Sequence, residues 1–148
     1  METVRHILQL KGYYLWQIDP DAPVYDALRI MADKDVGALL VMKEDKLVGI
    51  ISERDYARKV ILQGKSSRET PVREIMTANV HTIHPDQTVD EAMTLMHQAH
   101  VRHLPVVENE GEVIGMISIG DVVRMVIQRQ RRTIRNMEDR MRTSAASW

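Results

Sequence analysis

Two short signatures place residue types that could do chemistry: Ser52-Glu53-Arg54-Asp55 and Ser118-Ile119-Gly120-Asp121. Each closes an apolar run that carries a glycine, at Gly49 and Gly115, and each sets a carboxylate three residues after a hydroxyl. A Ser at a helix start with an acid at the third helical position is a capping box, in which the two side chains satisfy otherwise unpaired backbone N–H groups. The alternative is that the carboxylate faces a ligand. Both readings stand at this point. Arg54, Arg58 and Lys59 beside the first pair could meet a phosphate or form a solvated helix face.

Other chemistry is set aside on spacing. Gly64-Lys65-Ser66 mimics the end of a P-loop, but that motif needs a Gly where position 59 is Lys. Five of the six His lie between His81 and His103, and His97 and His100 can share a helix face, yet no acids cluster there to complete a metal site. No Ser-His-Asp or Cys-His set sits on catalytic scaffolding, so no metal, catalytic cofactor or enzyme activity is expected. The absence of Cys excludes disulfide and thiol chemistry.

The whole chain is 44% hydrophobic and 28% charged, values of a globular protein, and with no Phe its core must be aliphatic. A net charge of -1 provides no basic field for nucleic acid. No apolar run is long enough to span a bilayer, and Met1–Lys11 lacks the apolar run of a signal peptide. The expectation is a cytoplasmic protein that contacts neither membrane nor nucleic acid.

The elements that must position the two Ser/Asp pairs appear twice. Ile18-Asp19-Pro20-Asp21 lies over Ile83-His84-Pro85-Asp86 at a shift of 65, as do Val24, Ala27, Leu28 and Met31 over Val89, Ala92, Met93 and Met96. After one extra residue in a charged turn, Leu47–Asp55 lies over Val113–Asp121. Val24, Ala27, Leu28 and Met31 have the spacing of an amphipathic helix, which Pro23 opens. Thr88 and Glu91 form a capping box before its counterpart. Ala38–Met42 and Leu47–Ile51 read as strands joined by a polar turn, and Ser52 opens a helix that buries Tyr56, Val60 and Ile61. The chain divides into a lead-in helix (1–15), a first repeat (16–63), a linker (64–80), a second repeat (81–128) and a helical tail (129–148).

The doubled h-G-h-h-S-x-x-D pattern, with Arg102-His103-Leu104-Pro105-Val106-Val107 before the second hairpin, resembles a CBS-domain pair, or Bateman module. The resemblance covers about Trp16 to Ile127. It implies an α+β fold of two β-α-β-β-α repeats about a pseudo-twofold, and a non-catalytic regulatory module. Its clefts would hold an adenosine ligand such as AMP, ATP or NAD(H). By that resemblance Asp55 and Asp121 accept from ribose hydroxyls, and Ser52 and Ser118 meet ribose or phosphate. Arg54, Arg102 and His103 reach phosphate, while Val36, Gly37, Ile50, Val101 and Met116 surround the base. The first repeat has Gly37-Ala38 where the second has Arg102-His103, so the two clefts should differ. The rival reading is a structural dimerisation or partner-docking module with vestigial clefts.

From Asp121 onward no Gly or Pro interrupts a long helix. Val123, Ile127, Gln130, Ile134, Met137 and Met141 form a short heptad seam among arginines. The seam is expected to pack on the module or on a second subunit. The resemblance also implies a homodimer that signals to a regulated protein. Thr143–Trp148 is expected to fray.

Overall fold

A computed structural model describes residues 1–146. Helix α1 (Val4–Lys11) precedes the first repeat, built of β1 (Gln17–Ile18), α2 (Val24–Lys34), β2 (Ala38–Lys43), β3 (Lys46–Ser52) and α3 (Glu53–Tyr56). Helix α3 runs on as a widened π turn, Ala57–Ile61, and a 3₁₀ turn at Val72–Glu74 lies in the linker. The second repeat consists of α4 (Val89–Ala99), β4 (His103–Val107), β5 (Val113–Ser118) and the long α5 (Ile119–Ala146).

The repeat is legible in the hydrogen bonding. Both hairpins are antiparallel, with an irregularity after Val41 in one and Val106 in the other. The first strand differs between copies. β1 pairs parallel to β2, and the Leu40 N–H donates to the Trp16 carbonyl at 3.1 Å. In the second copy Pro105 stands in place of Leu40 and has no N–H to donate. The expected first strand there shrinks to one bridge, Ile83 with Val106.

Each half has its own aliphatic core. Val24, Ala27, Met31, Leu39, Val41, Ile51 and Val60 fill the first; Val89, Ala92, Met96, Leu104, Val106, Ile117 and Val122 fill the second. Each core is closed by a segment from the other side of its repeat. The lead-in residues Val4, Ile7 and Leu8 precede the first repeat but are buried in the second core. The linker residues Val72 and Ile75 precede the second repeat but are buried in the first.

The two segments are themselves a repeat, Val4-Arg5-His6-Ile7-Leu8 over Val72-Arg73-Glu74-Ile75-Met76. The Val4 and Arg5 amides donate to the Gln87 and Pro85 carbonyls, and those of Val72 and Arg73 donate to Ala22 and Pro20. The Arg5 guanidinium meets Asp86 at 3.0 Å, and that of Arg73 meets Asp21 at 2.7 Å. The two repeats are thus laced together by a reciprocal exchange.

The two recurring glycines serve this lacing. A methyl group at Gly115 would lie 2.8 Å from Leu8 Cδ2, and one at Gly49 would lie 2.9 Å from the Thr77 carbonyl oxygen. At Gly49 a side chain would press on the backbone of the crossing segment, whereas at Gly115 it would require the Leu8 side chain to shift.

Several expectations are corrected. Ile61 is 57% exposed, because the π turn rotates it away from Val60, which is fully buried. Only half of the Thr88 box forms: Thr88 Oγ1 accepts from the Glu91 N–H, while Glu91 turns to Gln87. Helix α5 packs on the module through Val122, Met125 and Val126, one step from the heptad seam. Val123, Ile127, Ile134, Met137 and Met141 of the seam are exposed, so it does not pack on the module. The helix holds through Thr143 to Ala146 where fraying was expected; the rest of that stretch, 147–148, lies outside the described residues.

Candidate functional site

Both Ser/Asp pairs form full capping boxes. The Ser52 N–H donates to Asp55 Oδ2 at 3.0 Å, and the Asp55 N–H donates to Ser52 Oγ at 3.2 Å. In the second copy the same two bonds are 2.8 and 3.2 Å. Capping does not exhaust the carboxylates, since each retains an oxygen for another partner. That partner differs. Asp55 meets Lys59 Nζ at 3.2 Å, one turn along its own helix. Asp121 meets Lys11 Nζ at 2.8 Å, from the end of α1, and the Arg124 guanidinium at 2.5 Å. Lys11 Nζ also donates to the Met116 carbonyl at 2.8 Å.

Asp121 lies at the wall of a cleft of about 390 Å³ between the repeats, within the size range of small-molecule sites. The first repeat gives it Asp35, Val36, Gly37 and Ala38, ahead of which Tyr14 and Trp16 form one side. Their rings stack at 5.2 Å between centroids and 6° between planes, and the Lys34 ammonium lies over Trp16. The second repeat gives His103, Met116, Ser118, Asp121 and Arg124, and Lys11 enters from α1. At its floor the repeats touch: a methyl at Gly37 would stand 3.7 Å from His103 Nε2.

The electrostatics are uneven. Burial alone would raise the Asp121 pKa, but hydrogen bonds from Lys11 and the Ser118 amide, with the Lys11 charge, hold it below the ordinary carboxylate value. Asp121 is therefore ionised at neutral pH. Burial, helped by the Lys11 charge, holds His103 below its ordinary value against the pull of Asp121. Burial thus favours the neutral form of His103.

Of the residues chosen from the sequence, the cleft gathers Val36, Gly37, His103, Met116, Ser118 and Asp121. The others lie elsewhere. Ser52 and Asp55 cap α3; Arg54 is exposed on it and has no ion pair among the described residues. Ile50 is buried and exchanges backbone hydrogen bonds with Thr77. Val101 packs on the second core, and Arg102 is exposed while its carbonyl accepts from the Ile119 amide. Sequence reasoning missed Lys11, Tyr14, Trp16, Asp35, Ala38 and Arg124. The doubled Val-Arg-x-Ile-Leu/Met lead-in was the signal that could have brought α1, and Lys11 with it, to the second repeat. A wider groove of about 720 Å³ runs between α1 and α5 past Leu10, Met125, Arg131 and Arg135, and holds none of the chosen residues.

A doubled unit, laced by exchange and carrying one Ser/Asp cap per copy, has a counterpart among known families. The family model described as CBS domain matches residues 15–61 and again 72–128. The chain belongs to the CBS-domain family. This CBS pair is 45% identical over 145 residues to the CBS domain-containing protein CBSX3, mitochondrial, of Arabidopsis thaliana, covering 91% of the chain and 69% of that protein. Two further relatives are longer, the uncharacterized protein MK0525 of Methanopyrus kandleri and the inosine-5'-monophosphate dehydrogenase of Thermoplasma acidophilum, and the CBS pair spans 49% and 21% of them. Among solved structures, the CBS domain protein NE2398 superposes with a TM-score of 0.81 at 47% identity, over 85% of this chain and 98% of that one. The CBS pair of MJ0100, solved with 5′-methylthioadenosine and S-adenosyl-L-methionine, has a TM-score of 0.78 at 28% identity, over 87% and 98% of the two chains. As a CBS pair the protein is a regulatory module of mixed α+β fold. Among the described residues no helix is long and apolar enough to cross a membrane.

Proposed function

We propose that this CBS pair senses an adenine nucleotide, AMP, ATP or NAD(H), in the cleft beside Asp121, and performs no catalytic step. One observation carries the reading: a buried, ionised carboxylate at a helix N-terminus opens on a cavity shared by both repeats and walled by stacked aromatic rings. A carboxylate with oxygens beyond its cap can accept from two vicinal hydroxyls, and the Tyr14–Trp16 pair offers an aromatic wall beside which a base can lie. The complex of MJ0100 with adenosine compounds supports the class of ligand. Because both repeats line the cleft, a ligand would favour one relative geometry of the repeats, and a regulated protein would read it.

Thermal unfolding of the full chain against AMP, ADP, ATP, NAD, NADH and S-adenosylmethionine tests the reading. A ligand at a hundred times its dissociation constant adds about 2.7 kcal/mol. A rise of several degrees with an adenine nucleotide supports the sensor; no rise with any of them at millimolar concentration overturns it. Incubation with each nucleotide should yield no hydrolysis product.

The exposed seam of α5 favours a second role in association. Val123, Ile127, Ile134, Met137 and Met141 project a five-residue apolar stripe that the module leaves bare, and a homodimer would cover it. Truncation after Gln128 should abolish dimers while nucleotide binding persists. The cytoplasm is the proposed compartment, beside a plant relative named as mitochondrial, and imaging of a tagged full chain distinguishes them.

A further inference from the structure

The groove of about 720 Å³ between α1 and α5 is larger than the cleft beside Asp121 and shares no lining residue with it. Helix α1 turns Val4, Ile7 and Leu8 into the second core, and its opposite face runs along the groove with His6, Gln9 and Leu10. Leu10 is 71% exposed, an apolar side chain on the face of α1 that the core does not use. Helix α5 lines the other side with Met125, Gln128, Arg131, Arg132 and Arg135, which recur every three or four residues and so share one face. The apolar seam of α5 lies on a different face, since none of its residues lines the groove.

Charge is segregated along the chain. Residues 129–148 carry six Arg against two acids, whereas the residues before them carry fourteen Lys and Arg against nineteen acids. Half of those six arginines have partners: Arg129 and Arg132 pair with Glu2, Arg129 also with Asp90, and Arg142 with Asp139. Arg131 and Arg135, both lining the groove, have no ion pair among the described residues. They stand four residues apart, about one turn of α5, and Leu10 and Met125 line the same groove. From Met125 to Arg135 this face of α5 is about 15 Å long, the length of about three helical turns.

We infer that this groove docks an acidic amphipathic helix of a partner protein, about three turns long. A guanidinium fork matches a carboxylate, so two arginines one turn apart fit two acids one turn apart on the incoming helix. An apolar residue on the same face of that helix covers Leu10, as the anchor of a helix-in-groove contact. A second copy of this chain does not supply the match. Among the described residues no helix carries two acids three or four residues apart, and Asp90 of α4 is already held by Arg129. Two free cations are too few for a nucleic-acid strand, whose affinity rests on neutralising many phosphates. The groove and the Asp121 cleft have no residue in common, so the docking surface stands apart from the nucleotide reading.

The test is selection against the full chain from an unbiased phage library of helix-forming peptides of about fourteen residues, long enough for three turns. Enriched peptides are then synthesised with a fluorophore and titrated by anisotropy. They should carry two acids three or four residues apart with a Leu, Ile or Met on the same face. Arg131→Glu and Arg135→Glu, each checked for an unchanged circular dichroism spectrum, should each weaken binding about tenfold or more, the worth of one charged hydrogen bond. Leu10→Asp should weaken it as well, while Arg140→Glu, outside the groove, should leave it unchanged. Replacing the peptide's two acids by Lys should restore binding to the doubly reversed chain, which a misfolded chain could not do. No enrichment of acidic peptides, or affinity indifferent to both charge reversals, overturns the inference. Phosphatidylserine vesicles or a single-stranded oligonucleotide bound through the same arginines more tightly than any peptide would overturn it too. The thermal shift with adenine nucleotides should be the same in Arg131→Glu and Arg135→Glu as in wild type, so the two readings fail separately.

Discussion

Replacing Asp121 by Ala should weaken both the fold and the cleft, and the structure indicates by how much. The side chain is 6% exposed and accepts from the Ser118 N–H at 2.8 Å, from Lys11 at 2.8 Å and from Arg124. Loss of the capping bond costs about 1 kcal/mol. Loss of the Lys11 bond costs about 1 kcal/mol, at the low end for a charged hydrogen bond because that ammonium is a third exposed. Arg124 is 68% exposed, so water replaces its partner for a few tenths of a kcal/mol at most. The sum is about 2 kcal/mol, which in a domain of this size lowers the unfolding midpoint by about 4–8 °C. The native Asp121 pKa lies below its unfolded value, so the contribution is fully present above pH ~4 and is lost as pH falls through the native value. Urea unfolding of wild type and variant from pH 7 to pH 3 reads this directly. The gap should be constant down to about pH 5 and narrow below about 4. A variant as stable as wild type at pH 7, or a gap that does not narrow in acid, would refute the assignment of Asp121 as the ionised hub of the cleft.

Other consequences can be checked alongside. Gly49→Ala should cost about 1–3 kcal/mol and more than Gly115→Ala, because the added methyl meets the Thr77 backbone oxygen at 2.9 Å rather than a leucine methyl; chemical unfolding ranks the two. His103→Gln should flatten the pH dependence of stability: below about 6.5 the unfolded chain gains a proton that the buried ring resists, so wild type loses stability from there down through the native value. Midpoints between pH 5 and 8 measure that slope, and an equal slope in the variant would count against burial as its cause. Trp16→Ala should weaken adenine-nucleotide binding by about tenfold through loss of the aromatic wall that Trp16 forms with Tyr14, read by calorimetry. Arg73→Ala should leave the unfolding midpoint almost unchanged despite its 2.7 Å bond to Asp21, since both side chains are more than half exposed and water replaces the partner.

The parts of the fold visible in the sequence are those set by local pattern. Val24, Ala27 and Met31 announce α2, and the paired apolar runs announce β2 and β3 within a residue at each end. The Ser/Asp boxes form as their spacing requires. What stayed hidden depends on which distant surface a segment meets. Met1–Lys11 contains a short amphipathic helix whose buried face, Val4, Ile7 and Leu8, completes a core about eighty residues away in sequence, and periodicity carries no address. Lys11 stayed hidden with it, because only the doubled Val-Arg-x-Ile-Leu/Met segment points to where α1 docks. Within the repeat, two local exceptions escaped notice: Pro105 removing the amide that extends β1, and the π turn that exposes Ile61. The heptad seam was read correctly as apolar, but the face that docks on the module is Val122, Met125 and Val126.

The two Ser/Asp motifs are near-identical in sequence yet tie together different things. Asp55, Ser52 and Lys59 all lie within eight consecutive residues, so the cluster fixes the start of α3. Breaking its pair frays one short helix; Lys59, which also donates to the Ile75 carbonyl at 2.9 Å, retains a partner. Asp121 instead joins the start of α5 to the end of α1, 110 residues away in the chain. That bond sits where the exchanged lead-in, the second core and the cleft meet. A group that takes hold of Asp121 therefore acts at once on the docking of α1 and on the first turn of α5, whereas one at Asp55 acts on α3 and its linker. The asymmetry favours the second cleft as the place where the module responds, and the segments able to carry a response outward are α1, which Lys11 ends, and α5, which carries Arg124 in its second turn.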